Sequence, residues 1–355
     1  MIRESGAPEQ RPIAGGGDSF GTHRVIEPKG ALPQPAWRVD NDFSRLFEGE
    51  VLLGVETLNV DAASFTQMEK DGAGDVTATV LRTVADRGKQ HNPVTGSGGM
   101  LLGRVLQIAP GRPAEQLAVG DRVATLVSLS LTPLRIDSVT AVRPASAQMD
   151  VHGEAVLFAS GAYAKLPADV PERLALAALD VAGAAPQVAR LVKPGAVVVV
   201  LGAGGKSGIL CAAEARRKGG KAARVVGLEA SAKAAEELRA LGLCDAVAAV
   251  DARDPVAVRR TVLEATGGRE ADVTFSCVNV SDVELSAILA TRDRGVVYFF
   301  AMSTSFTKAA LGAEGVGRDV DLFIGNGYAH GHAEHTLAML RDMPAVRTLF
   351  ERRYG

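Results

Sequence analysis

The sequence predicts an α/β protein in which a β-rich first half is followed by a doubly wound parallel sheet. Three observations carry this. Short apolar runs separated by Gly and Pro fill the region from Glu50 to Phe158. From Ala196 onward, apolar runs of strand length alternate with helical stretches. The first of those later runs, Ala196-Val-Val-Val-Val-Leu201, opens directly into Gly202-Ala-Gly-Gly-Lys-Ser-Gly208, the strand, glycine turn and helix of a dinucleotide grip.

Taken in order, residues 1–19 read as a flexible leader, with three consecutive glycines at 15–17 and two prolines. Strands are expected at Val51 to Val60, Met100 to Ile108, Val123 to Leu129 and Ala155 to Phe158, with a helix from Asp75 to Arg87 between them. Six further strands follow near 196–201, 223–228, 246–251, 272–277, 295–300 and 319–324, with helices between them. The chain ends on an amphipathic helix from His332 to Arg353. Beyond the strand–helix alternation there is no internal repeat.

Each part of the glycine turn has a physical reason. Four valines and Leu201 suit a strand covered on both faces. Gly202 allows the tight turn, and Gly204 lets the backbone approach a pyrophosphate. After Gly205 and Lys206, a helix from about Ser207 points its free N–H groups and positive dipole end at that pyrophosphate. Ser207 stands where the third glycine of the pattern falls, with Gly208 one place later, so helix–strand packing is expected to differ slightly. Glu229 closes the next strand at about the ~20-residue separation of a carboxylate that binds a ribose 2′-hydroxyl. It would repel a 2′-phosphate, which argues for NAD over NADP.

Charge and cysteines narrow the class. Against 41 Asp and Glu stand 39 Lys and Arg, which gives no basic field for nucleic acid. Cys211, Cys244 and Cys277 are scattered and form no C-x-x-C pair, as expected of free thiols in a reducing compartment. No apolar run has membrane-spanning length, and the first twenty residues lack the apolar centre of a signal peptide. A cytoplasmic protein with no membrane or nucleic-acid partner is the expectation.

Val119-Gly-Asp-Arg-Val-Ala124, Val192-Lys-Pro-Gly195 and Asp272-Val-Thr-Phe-Ser-Cys-Val278 together resemble the medium-chain dehydrogenase/reductase superfamily. The resemblance implies a chaperonin-10-like β domain, 20–178 with 327–355, for substrate and catalysis, and a Rossmann domain over 179–326. Zinc-dependent members carry a cysteine after the first long strand and a Gly-His-Glu farther on. Here those regions read Leu58-Asn-Val-Asp-Ala-Ala-Ser64 and Thr95-Gly-Ser-Gly-Gly99, with no three thiol or imidazole ligands and no four-cysteine lobe. Catalysis without a metal is expected.

Longer blocks narrow the resemblance. Gly21-Thr-His-Arg-Val-Ile-Glu-Pro-Lys-Gly30, Arg87-Gly-Lys-Gln-His-Asn-Pro-Val-Thr-Gly-Ser-Gly-Gly-Met100, Leu126-Val-Ser-Leu-Ser-Leu-Thr-Pro-Leu-Arg-Ile136 and Thr304-Ser-Phe-Thr-Lys-Ala-Ala-Leu-Gly-Ala-Glu-Gly-Val-Gly317 resemble the L-erythro-3,5-diaminohexanoate dehydrogenase family of anaerobic lysine degradation. That family oxidatively deaminates 3,5-diaminohexanoate to 5-amino-3-oxohexanoate and ammonia with a nicotinamide acceptor. The resemblance also implies a homodimer.

Such a substrate has one carboxylate and two ammonium groups, and its hydride leaves only after the reacting ammonium loses a proton. A general base must reach that nitrogen. Asp180 interrupts the apolar stretch from Leu174 to Ala185 at the join where the superfamily's cleft lies. It reads as base or ammonium partner, or as the N-cap of the following helix. His91, with an ordinary pKa of ~6.5, lies just before Thr95 and Ser97 and is a second catalytic candidate; a structural role is the alternative. Arg24 is the first candidate to bind the carboxylate and Lys89 the second, set against an ordinary solvated charge. Asp61 and Ser64 are weaker polar candidates, and Glu27 could hold the second ammonium or simply face water.

On the cofactor side the superfamily resemblance places Cys277 to Asn279, with Ala301, Met302 and Ser303, beside the nicotinamide and its ribose. Asp251 and Arg253 would flank the adenine. Lys206 could meet the pyrophosphate or point to water. Two other readings stay open. A zinc-independent quinone or enoyl reductase would favour a basic residue at position 229, and a non-catalytic dinucleotide-binding protein would have an apolar or filled cleft.

Overall fold

The computed structural model describes residues 10–71, 75–94, 96–111 and 117–354. The chain divides after Asp180 into two compact units, the second running from Val181 to Arg353.

The first unit is built on a six-stranded antiparallel sheet. Its spatial order is Tyr163–Lys165, Arg122–Thr125, Met100–Ile108, Val51–Asn59, Gln148–Leu157 and Leu134–Arg143. The central strand Val51–Asn59 is apolar on both faces because both are covered. Val51, Leu53, Val55 and Leu58 enter the main core, while Leu52 meets Phe43, Leu46, Val156 and Phe158. Period-2 alternation sends neighbours to opposite faces, so two layers of apolar partners are needed.

The helix Val76–Arg87 sets Val76, Val80 and Val84 four residues apart, on one face that is buried. It begins where the Asp75 side chain accepts from the Ala78 N–H at 2.8 Å and ends at Gly88, whose φ of 69° suits a glycine.

Several sequence expectations change here. Within the expected leader, Ile13–Ala14 pairs with Leu46–Phe47 and Arg11 bonds Glu154 at 2.9 Å. Residues 10–19 are therefore part of the fold, and residues 1–9 lie outside the described residues. The expected Val123 to Leu129 strand stops at Thr125, followed by a single 3-10 turn at Leu129–Leu131. The strand Leu134–Arg143 was not anticipated, because its run of Arg, Asp, Ser and Thr hides an edge strand with one wet face.

The second unit is a six-stranded, wholly parallel sheet with the order Ala246–Ala249, Arg224–Glu229, Val197–Leu201, Ala271–Ser276, Thr291–Phe299 and Asp321–Ile324. Numbered along the chain this is 3-2-1-4-5-6, the order of a dinucleotide-binding sheet. All five residues of Val197–Leu201 are buried.

The segment from Gly327 to Arg353, expected with the β domain, lies in the second unit. Its helices are His332–Asp342 and Pro344–Tyr354, interrupted where Pro344 removes an amide donor. Thr336 Oγ1 donates to the Ala182 carbonyl at 3.0 Å, which joins the C-terminal segment to the start of the same unit. No single helix among the described residues is long and apolar enough to cross a membrane.

Candidate active site

In the second unit the strand order reverses between Val197–Leu201 and Ala271–Ser276, and Gly202 sits at that switch point. Its φ is 69°, and a Cβ there would lie 3.1 Å from the Cys277 backbone. A Cβ on Gly204 would come within 2.8 Å of Ala234 Cβ and 2.9 Å of Glu229 Oε2. A Cβ on Gly208 would stand 2.1 Å from the Gly202 carbonyl oxygen. Gly208 therefore performs the close helix–strand packing expected one position earlier, and Ser207 is free of that constraint. Gly205 donates to the Gly202 carbonyl at 3.1 Å and N-caps the helix Lys206–Gly219, which no side chain caps. That helix end suits an anion, and the cradle fits a dinucleotide pyrophosphate.

Glu229 lies where expected. Its Oε2 accepts from the Gly204 N–H and its Oε1 from the Ser231 N–H, both at 3.0 Å. The carboxylate is thus fixed beside the middle glycine. Asp251 and Arg253 pair with each other after the third strand, and Arg253 depresses the Asp251 carboxyl to about 2.

Ser303 Oγ sits 3.2 Å from the carbonyls of both Val278 and Val280, to which it donates. That contact joins the two loops expected at the nicotinamide. Cys277 donates its N–H to Leu201 O at 2.9 Å, and its thiol lies 3.6 Å from Cys211. Asn279 and Met302 on the same loops are exposed, Met302 to 81%.

In the first unit Asp180 follows the helix Glu172–Leu179 and donates its N–H to Leu176 O at 3.0 Å. It is a helix C-cap; the following helix, Ala184–Leu191, is N-capped by Gly183. Asp180 Oδ1 accepts from Asn59 Nδ2 at 3.1 Å, and Asn59 Oδ1 accepts from Gln148 Nε2 at 3.2 Å. Asn59 and Gln148 are fully buried, and Gln148 Oε1 is a buried acceptor with no protein partner. Asp61 Oδ1 accepts from the Ser64 N–H at 2.9 Å, while Asp61 Oδ2 is likewise buried and unbonded. Unbonded buried polar atoms are costly, which makes both fitting contacts for a polar ligand.

The block after Gly96 passes close to this group. A Cβ on Gly98 would lie 2.3 Å from Gln90 O, and one on Gly99 would lie 2.1 Å from Asn59 O. Only glycines allow that approach. Ser97 Oγ accepts from the Gly99 N–H at 3.4 Å, and Thr95 lies outside the described residues. Sequence alone singles out neither Asn59 nor Gln148. The only signal is an amide closing an otherwise apolar strand.

The other candidates are placed differently. Arg24 is fully buried, and its fork is filled: Nε and Nη2 donate to the Glu50 carboxylate at 2.7 and 2.8 Å, with further bonds to the Asp42 and Arg45 carbonyls. It is an internal strut rather than an open carboxylate anchor. Lys89 is fully buried too, with Nζ donating to Pro33 O and Gln34 O at 2.6 and 3.0 Å. Burial, with Arg87 nearby, lowers it to about 8. Glu27 is exposed, on a short strand paired with Arg38–Val39. Burial, then Lys89 and Arg87, lower His91 to about 4. It is therefore neutral at physiological pH and a weakened base, and its Nδ1 is buried without a protein partner among the described residues.

Among the described residues no group of three or more His, Cys, Asp or Glu is placed to hold a metal ion.

Comparison with known proteins gives a consistent picture. The family model described as "L-erythro-3,5-diaminohexanoate dehydrogenase N-terminal domain" matches residues 23–167. L-erythro-3,5-diaminohexanoate dehydrogenase of Acetoanaerobium sticklandii is 54% identical over 342 residues, covering 95% of this chain and 99% of that one. The enzyme of the same name from Fusobacterium nucleatum is 49% identical over the same shares of the two chains. Among solved structures, Escherichia coli quinone oxidoreductase complexed with NADPH superposes with a TM-score of 0.52 at 18% identity, covering 84% of this chain and 80% of that one. That likeness concerns the fold.

Proposed function

This chain belongs to the L-erythro-3,5-diaminohexanoate dehydrogenase family, and from that premise we propose that it deaminates L-erythro-3,5-diaminohexanoate with NAD, in lysine degradation. The observation that carries the acid–base assignment is Asp180, a carboxylate that directly follows the buried apolar run from Leu174 to Leu179 and is held by Asn59 at 3.1 Å.

When bound, the nicotinamide supplies the hydride acceptor for C3 of the substrate. The residues of this chain manage protons, charge and water. Asp180 takes one proton from the C3 ammonium, since hydride cannot leave a carbon bearing a fully protonated nitrogen. Asn59 keeps the carboxylate turned toward that nitrogen. Once that proton has passed to solvent, the same carboxylate takes a proton from the water that attacks the C3 iminium and returns it to the nitrogen, so the ketone oxygen comes from water and the nitrogen leaves as ammonia. Gln148 Oε1 and Asp61 Oδ2 offer acceptors for N–H groups of a dicationic substrate.

Glu229 favours NAD. Its carboxylate, fixed beside Gly204 by two backbone bonds, would accept from a ribose 2′-hydroxyl and repel a 2′-phosphate. A quinone or enoyl reductase gains no comparable support, because position 229 carries an acid. A homodimer is proposed as well, through the edge strand Asp321–Ile324, where Phe323 and Ile324 are 45% and 64% exposed. Sedimentation velocity tests it, and a monomer throughout the micromolar range would reject it. A reducing, cytoplasmic setting suits the three free cysteines.

The deciding experiment incubates the protein with the diamino acid and NAD, then measures NADH absorbance and released ammonium. One ammonium per NADH is the expected result. NADH oxidation by quinones or enoyl thioesters, with no turnover of the diamine, would sink the proposal.

A further inference from the structure

Gly204 is held from both sides. Its N–H is taken by Glu229 at 3.0 Å, and its carbonyl accepts from Arg353 Nη1 at 2.6 Å. Arg353 comes from the last helix, Pro344–Tyr354, 149 residues away in sequence. The rest of its guanidinium is bound to Glu237, with Nε 3.0 Å from Oε2. Glu237 lies on the helix Ala232–Ala240, the same helix whose Ala234 leaves no room for a Cβ on Gly204. Its other oxygen, Oε1, accepts from Arg352 Nη2 at 2.8 Å.

We infer that Arg353 is a cofactor-positioning residue: the C-terminal helix fixes the peptide planes of the glycine turn in the conformation that receives the pyrophosphate. This rests on the reading of that turn as a dinucleotide site. Three of the four residues from 202 to 205 are glycines, and glycine loses more backbone freedom on ordering than any other residue. Beyond the Gly205–Gly202 backbone bond, a turn whose one side chain is the Ala203 methyl has no polar group of its own to fix its peptide planes. Glu229 holds one peptide and Arg353 the next, which lowers the ordering left to be done when the cofactor binds. Glu237 accepts from Nε and Nη2 and balances the charge, so Arg353 acts on the backbone and not as a phosphate cation. Arg352 supplies an internal control, with the same charge, helix and carboxylate partner but, among the described residues, no bond to the turn.

The test is equilibrium NADH binding by fluorescence titration, with steady-state kinetics and thermal melting, on wild type, Arg353→Ala and Arg352→Ala. Loss of one charge-assisted bond to the turn is expected to raise the NADH Kd about tenfold in Arg353→Ala. KM for NAD should rise in step, while kcat at saturating NAD and KM for the diamine stay within twofold. Arg352→Ala should stay within twofold throughout. An NADH Kd within twofold of wild type in Arg353→Ala, or equal rises in both variants, overturns the inference. If Arg353→Ala does not fold, Arg353→Gln is read instead, and an unchanged Kd overturns it equally. Failure of the wild type to bind NADH or NADPH would sink the dinucleotide reading itself, an outcome separate from these.

Discussion

Asn59 Nδ2 donates to Asp180 Oδ1 at 3.1 Å, across 121 residues of sequence. The direction of that bond is set from behind. Gln148 Nε2 donates to Asn59 Oδ1, so the Asn59 amide presents its N–H2 end to Asp180. The amide accepts at its oxygen and donates at its nitrogen, and a flip about its terminal torsion would break both bonds.

This relay makes Asn59 a positioning residue and Asp180 the group that handles the proton. Asp180→Asn should lower kcat on the diamine by about 10²- to 10⁴-fold, the usual effect of removing a general base, with NADH affinity unchanged. Asn59→Ala should cost roughly tenfold in kcat, since the carboxylate loses the donor that orients it. Asn59→Asp, which cannot donate when ionised, should be worse than alanine. Steady-state kinetics decide this, and an unchanged kcat in both Asn59 variants would remove the relay from the mechanism.

Gly208, rather than Ser207, provides the close helix approach. A Cβ at 208 would collide with the Gly202 carbonyl at 2.1 Å, backbone against backbone, so neither side can yield cheaply. Gly208→Ala should displace the helix from the turn, weaken NADH binding by about a hundredfold or prevent folding, and lower Tm by several degrees. Ser207→Gly should change NADH affinity by less than twofold. Fluorescence titration and melting of both variants decide the matter; a tolerated Gly208→Ala would remove the packing role assigned here.

The contrast between these two sites shows what a sequence exposes. The glycine turn is legible because its demands are on the backbone, and only glycine meets them at 202, 204 and 208. Asp180 is legible because a carboxylate in an apolar run needs a partner. Its partners are not: Asn59 and Gln148 lie 89 residues apart, and an amide in a strand carries no signal until the sheet brings the three together. Arg24 misleads for the opposite reason. It lies among polar residues in a loop-like block, and nothing local reveals that Glu50 fills its fork. The boundary near residue 327 misleads too, because the C-terminal helices are tied to the second unit by the long-range contacts of Thr336 and Arg353.

Glu229 should govern the choice between the two nicotinamide dinucleotides. The unmutated protein is expected to prefer NAD in kcat/KM by at least about a hundredfold, the repulsion of a fixed carboxylate and a 2′-phosphate being worth roughly 3 kcal/mol in a half-buried site. Glu229→Ser should lose most of that preference by gaining activity with NADP, and should lose NAD affinity as well because its bond to Gly204 disappears. Parallel kinetics with both cofactors are sufficient, and a wild-type preference for NADP would refute the assignment.

The buried pair His23 and Glu50 predicts a pH window for stability. His23 Nε2 lies 2.9 Å from Glu50 Oε1, and Nδ1 lies 3.1 Å from Asp18 Oδ2. Burial alone would lower the imidazole, yet the Glu50 and Asp18 carboxylates outweigh it and raise His23 above its ordinary 6.5. Burial would raise Glu50, but the bonds from Arg24 and His23 outweigh that and hold it below 4.5. A raised histidine contributes stability fully below 6.5 and loses it as pH rises through the raised value; a depressed carboxylate contributes fully above 4.5 and loses it as pH falls through the lowered value. Both contributions are therefore complete between about pH 4.5 and 6.5. His23→Gln should lower Tm by roughly 2–4 °C at pH 5.5, and the deficit should shrink as pH rises through the raised His23 value. Scanning calorimetry across that range checks the sign, and a deficit that grows with pH would show that His23 is neutral in the folded protein.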